Sequence, residues 1–216
     1  MGSRIERTRA LYERAVYEGD AEALDEADRV LDAVAADLAL SRGRIAHTRF
    51  LLDREADPER AHPDPGELGL FEQALSLYQG RGDRSGEAEA LFWIGCFHQV
   101  VHRDYDTARP YLERSLDLAD DPATRSEALR HLGIIAHFSG QLDEARGRLE
   151  ESTRLRRDLG LSAAVANNLI GLAYVSMGQG RSEDASAALA EARTLAEASG
   201  ARRISRSVEE AQANIE

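Results

Sequence analysis

Lysine is missing from this chain altogether, since all 27 basic residues are arginine. That absence removes lysine-based chemistry, including the phosphate-gripping lysine of a nucleotide-binding loop. Arginine, alanine and glutamate richness without lysine is otherwise the codon habit of a high-GC bacterium and says little about function. Cysteine is nearly absent too: Cys96 stands alone, which excludes an internal disulfide and suits a reducing cytosol. No apolar run reaches the 18 or so residues that a membrane-spanning helix needs. The first residues carry no apolar signal segment, and Glu6 breaks the myristoylation pattern. A soluble, cytoplasmic protein is expected. Five prolines and few β-branched runs point to helix. The net charge of −12 disfavours nucleic-acid and anionic-membrane partners.

What the sequence does have is repetition. Leu112-Glu113-Arg114-Ser115-Leu116 returns as Leu149-Glu150-Glu151-Ser152-Thr153 and again as Leu189-Ala190-Glu191-Ala192-Arg193. Upstream of each copy a glycine interrupts an apolar run: Gly95, Gly133 and Gly171, spaced by 38. A period of that length implies stacked helical hairpins, because one hairpin cannot bury its own apolar face. The expected fold is all-α: a right-handed α-solenoid of about five antiparallel helix pairs, one domain over residues 1–216.

Along the chain, a first helix is expected over about Ser3 to Glu18, with a turn at Gly19-Asp20. Leu24, Leu31, Leu38, Ile45 and Leu52 then fall at a strict interval of seven. This reads as one long helix, or as two helices if a turn intervenes near Ala36-Asp37. Residues 1–56 are thus diverged N-terminal helices, and the proline-rich stretch 57–66 is the main loop. It ends in a helix start, with Asp64 as N-cap, Pro65 at the first position and Glu67 three residues after the cap. A fourth, diverged copy of the repeat block covers Phe71 to Tyr78. Clear repeats occupy 67–200. Gly140, Gly160, Gly178 and Gly200 fall where helix ends favour a left-handed residue. Pro110 fits the first turn of a helix starting near Thr107. A capping helix, 201–216, places Ile204, Val208, Ala211 and Ile215 on one stripe.

Leu132-Gly133, Ala136, Ala145, Leu149, Ser152 and Leu155 resemble the tetratricopeptide (TPR) repeat. The longer spacing is similar to that of kinesin light chains and of sensor regions in bacterial regulators. The resemblance implies a non-catalytic adaptor or receptor that takes a peptide or protein segment in a concave groove. Aligned on the glycines, it places Glu89, Phe92, Cys96, Gln99 and Val100 on that wall. Glu127, Arg130, Ile134, His137 and Phe138 follow from the next repeat, and Val165, Asn168, Leu172, Val175 and Ser176 from the third. Ligand contacts are expected from Phe92, Cys96, Gln99, Arg130, Ile134, His137, Asn168 and Leu172. Asn167-Asn168 is a sharp local signal, since asparagine is a poor helix-interior residue. In kinesin-light-chain-type repeats such an amide grips the ligand's main chain. Asn168 matches the groove position and Asn167 the neighbouring helix. A side chain satisfied inside the stack is the other reading of Asn168.

No cofactor or metal is called for. His98 and His102 are four residues apart, a metal-ligand spacing, but Cys96 and His98 diverge by about 200° around a helix. Gly178-Gln179-Gly180-Arg181 lacks the features of a P-loop, and nothing in the spacing demands an enzyme. The alternative is a small-molecule or metal binder, or a minor enzyme, using the His, Cys and Arg lining of the same groove. A homodimer formed by an exposed edge of the stack is a third reading.

Overall fold

The long stretch after Gly19 settles as one helix. In the computed structural model, which describes residues 2–215, α1 (Gly2–Glu18) is followed by α2 (Glu22–Ala56), 35 residues without a break. At 1.5 Å per residue α2 is about 52 Å long. The candidate turn at Ala36-Asp37 lies mid-helix. Ala36 is fully buried, and the Asp37 carboxylate accepts from the Tyr78 hydroxyl at 2.9 Å and from Arg4 at 2.5 Å. Side chains of two neighbouring helices, α1 and the helix carrying Tyr78, thus meet α2 at its middle. Burial and the Asp37 contact raise the Tyr78 phenol well above its usual range.

The face of α2 turned inward is mostly small residues, including Ala23, Ala27, Ala36, Ala39, Gly43 and Ala46, with Leu40, His47 and Phe50 among them. α3 (Glu67–Gly80) and α4 (Arg84–Phe97, continued by a π-helical turn over His98–His102) complete this first compact unit, residues 1–104. A Cβ on Gly43 would stand 2.4 Å from the Phe71 ring, so glycine lets Phe71 lie against the α2 backbone. Phe71 in turn stacks on Trp93, with ring centroids 5.6 Å apart. The α3 start differs from the expected capping box. Gly66 is the N-cap, the Asp64 carboxylate accepts from the Gly66 amide, and the Glu67 side chain turns away to a buried histidine.

The second unit, residues 105–216, is a run of helices: α5 (Tyr105–Leu118), α6 (Pro122–Phe138), α7 (Leu142–Asp158), α8 (Ser162–Gly178), α9 (Ser182–Ala198) and α10 (Arg202–Ile215). Each packs on its successor, and α8 also meets α6 and α10. Three-residue turns between α6, α7, α8 and α9 make neighbours antiparallel. The fold class is all-α, stacked helix pairs of an α-solenoid. Gly133 sits where a Cβ would be 3.0 Å from Leu149 Cγ, the close approach expected of the repeat glycine.

Two local expectations are corrected. After α8 the left-handed residue is Gly180, with φ 72°, while Gly178 ends the helix with Leu142 3.0 Å from where its Cβ would lie. Helix α5 begins at Tyr105, so Pro110 sits inside the helix and not in its first turn. Its missing amide leaves one helical acceptor without its usual donor. In α10, Val208 and Ala211 are fully buried and Ile204 packs beside them. The Ile215 side chain lies outside the described residues.

Candidate functional site

The candidate site is a cleft in the second unit, between α6 and α8, with a cavity volume of about 390 Å³. Its apolar walls are Ile134, Ile170 and Tyr174, and Leu149 of α7 reaches its floor. Phe138 is largely exposed at the lip, its ring stacked on Tyr105 at 5.2 Å. The polar margin consists of Arg130, His137 and Asn167. Helical spacing explains the α6 side, because 130, 134, 137 and 138 fall on one stripe.

His137 is part-buried and its Nδ1 has no hydrogen-bond partner among the described residues. Burial lowers its pKa below the ordinary histidine value and so favours the neutral ring. The Arg130 guanidinium bridges to α8, donating to the Asn167 carbonyl at 3.1 Å and to Asn168 Oδ1 at 3.2 Å. It fixes the distance between the two cleft walls.

Asn168 itself is not in the cleft. Its side chain is fully buried, with Oδ1 accepting from Arg156 at 3.0 Å and Nδ2 donating to Ser152 Oγ at 2.8 Å. Ser152 passes the chain on to the Ser126 carbonyl at 2.6 Å. Arg156, almost wholly buried, also donates to the Ala164 carbonyl and pairs with Glu127 at 2.6 Å. Burial lowers the Arg156 pKa, and the Glu127 carboxylate opposes that shift. Every polar atom of the Asn168 amide is therefore engaged by α6 and α7, and the ligand-gripping role expected of it is corrected. Asn167, one residue earlier and 100° around the helix, lines the cleft instead.

Leu172 is corrected in the same way. It belongs with Val175 to the core that includes Val208 and Ala211, so the helix face expected to be open on α8 is buried there. Of the other expected contacts, Arg130, Ile134 and His137 come together in the cleft. Phe92, Cys96 and Gln99 are buried in the first unit. Phe92 packs edge-on to Trp93 at 5.2 Å. Asn167, Ile170 and Tyr174 were missed because a 38-residue alignment carries one helix's exposed face onto another helix whose neighbours differ.

The first unit holds a second polar group that spacing could not reveal. Cys96 Sγ lies 3.7 Å from His47 Nε2, and His47 Nδ1 lies 2.7 Å from Glu67 Oε1. The order of atoms is that of a thiol, imidazole and carboxylate relay. All three residues are buried, and the relay joins α2, α3 and α4. The His98 and His102 rings lie edge-on to each other at 5.7 Å. They flank the Phe97 ring, and burial followed by the nearness of His102 lowers the His98 pKa. No cluster of three metal-ligating side chains exists among the described residues, and no described helix is long and apolar enough to cross a membrane.

No family model and no curated protein matches the chain. Among solved structures it is similar to the crystal structure of BtubC (BKLC) from P. vanneervenii, at 18% sequence identity and a TM-score of 0.47, over 92% of this chain and 90% of that one.

Proposed function

We propose that the chain is a non-catalytic helical-repeat scaffold that binds a peptide or protein segment, with the α6–α8 cleft as the pocket for one bulky apolar side chain. The observation that carries this reading is the cleft's composition: a mainly apolar lining from Ile134, Ile170, Tyr174 and Leu149, with Arg130, His137 and Asn167 as its polar members. Sites that take a peptide pair apolar pockets for side chains with a few polar groups for the main chain. The neutral His137 ring and the Asn167 amide are those groups. The Asn167 side chain has no protein partner among the described residues, in contrast to its engaged neighbour. Arg130 acts by holding the walls in place.

The test is selection of peptides from a displayed library on the purified protein, followed by calorimetry with variants. Ile134→Glu should abolish binding of the selected peptides. Asn167→Ala should weaken it roughly tenfold, the loss of one or two hydrogen bonds. Asn168→Ala should lower the melting temperature. Unchanged affinity in Ile134→Glu sinks the reading. The cavity volume also favours a second reading, a small apolar molecule in the same cleft, since about 390 Å³ lies within the range of small-ligand sites. Native mass spectrometry of the purified chain, showing a retained small molecule, would favour it.

A further inference from the structure

The seven-residue stripe on α2 faces away from the protein. Leu24, Leu31, Leu38, Ile45 and Leu52 are 47%, 41%, 40%, 53% and 53% exposed. Five large aliphatic side chains thus form an open line of about 42 Å on one rigid helix. An apolar line that long, held at an interval of seven on one rigid helix, is a face that a second helix lying alongside would cover.

The charges beside the line identify the partner. One flanking row, itself at an interval of seven, is Asp28, Ala35, Arg42 and Arg49. The other is Ala27, Val34, Ser41 and Thr48, with no charge at all. Consider a second copy of α2 running antiparallel, with Leu38 on the two-fold axis. Leu31 then meets Ile45 of the second copy, and Leu24 meets Leu52. A two-fold that reverses direction sets each flanking row against its own copy, so Asp28 faces Arg49 twice over. A parallel pair would set the charged row against the neutral one and form neither contact.

We propose that α2 is the homodimerisation helix of this protein, pairing antiparallel with α2 of a second copy through Leu24, Leu31, Leu38, Ile45 and Leu52. The surface lies in the first unit and is independent of the peptide cleft. Leu38 is the centre of the seam, and Asp28 with Arg49 sets its direction.

Sedimentation equilibrium of the whole chain should show a dimer, and Leu38→Glu should convert it to a monomer with unchanged circular dichroism and melting behaviour at low concentration. Asp28→Arg should raise the dimer dissociation constant roughly tenfold, and Asp28→Arg with Arg49→Asp should restore it. Direction is read by oxidative cross-linking, with the unsubstituted chain as the control for Cys96. A Leu24→Cys chain mixed with a Leu52→Cys chain should give a linked dimer, and Leu24→Cys alone should give none. A monomer at the highest soluble concentration overturns the proposal. So does a dimer that survives Leu38→Glu, or self-linking of the Leu24→Cys chain.

Discussion

In α2 most residues turned inward are small, Ala23, Ala27, Ala33, Ala36, Ala39, Gly43 and Ala46 beside Leu40, His47 and Phe50, while the leucines of the seven-residue stripe stand outside. In the helices of the second unit the arrangement is reversed. Leu112, Leu129, Leu132, Leu149 and Leu189 are buried there, and the outer faces are charged. Both regions bury enough apolar area to fold, but they obtain it from different places. Around α2 much of the bulk is supplied by the partner helices, where Phe71 and Tyr78 of α3 and Phe92 and Ile94 of α4 are all buried beside α2's own Leu40 and Phe50. Gly43 allows the Phe71 ring to reach the α2 backbone. In the hairpin run each helix brings its own leucines, and small residues serve only at the crossings, as at Gly133. The lesson is that a period reports an apolar stripe without saying which side of the helix is buried. That depends on what the opposite face can accommodate.

The largest expected effects lie in the buried polar groups of the two regions. Arg156→Ala leaves Asn168, the Ala164 carbonyl and Glu127 without their guanidinium. Glu67→Ala leaves the buried His47 Nδ1 without its carboxylate. Each should cost about 3 kcal/mol. Glu67→Ala does so by stranding the buried His47. Arg156→Ala removes a buried side chain that ties α6, α7 and α8 together, with Asn168 Oδ1 keeping only Arg130. Arg157→Ala, next in sequence but half exposed against Glu191, should cost less than about 1 kcal/mol. Urea unfolding of the three variants checks the order. An Arg156 variant no worse than the Arg157 one would mean that the polar layer of the second unit contributes nothing.

The leucine inversion is tested next. Leu149→Ala should destabilise by about 3 kcal/mol, since the side chain is fully buried and contacts both Gly133 and the cleft floor. Leu38→Ala should change the melting temperature little at concentrations where the chain is monomeric, within about 0.5 kcal/mol. Equal losses at the two sites would erase the contrast between the regions.

Glycine sharpens it at a smaller scale. Gly43→Ala must push Phe71 off its seat and should cost about 1–3 kcal/mol. Gly147 lies exposed within α7 with nothing within 4 Å of the position of its Cβ. Gly147→Ala should therefore stabilise by about 0.5–1 kcal/mol, the ordinary helix preference.

Much of this was legible from residue spacing. The 38-residue repeat, the Asp121 cap with Pro122 behind it and the exposed Phe138 beside Ile134 follow from local rules; in the structure Asp121 accepts from the Thr124 amide at 2.8 Å. The cleft's α6 wall was legible for the same reason. Its α8 wall was not, because α8 is covered by α10 and α7 on faces that α6 leaves open. Asn168 and Asn167 exchange roles through that difference alone. The inward and outward sides of α2 were likewise hidden, since the partners that decide them, Phe71 and Tyr78, come from another helix. His47, Glu67 and Cys96 are spread over 50 positions and meet only in three dimensions.

The smallest effect separates the regions by their response to acid. His137 in the second unit and His98 in the first both have pKa values below the ordinary 6.5, so the folded state favours the neutral rings. Their contribution to stability is complete above that value and is lost as the pH falls through the depressed folded values. Burial is the one cause for His137. For His98 burial comes first, then His102, while Asp104 and Glu72 pull the other way. Salt screens charges but not burial, and at about 1 M the screening length is only about 3 Å. An NMR titration at low and high salt should therefore move the His98 midpoint and leave that of His137 in place. Parallel movement of both would mean that His137 feels a charge across the cleft, and the neutral His137 ring proposed for peptide binding would have to be redrawn.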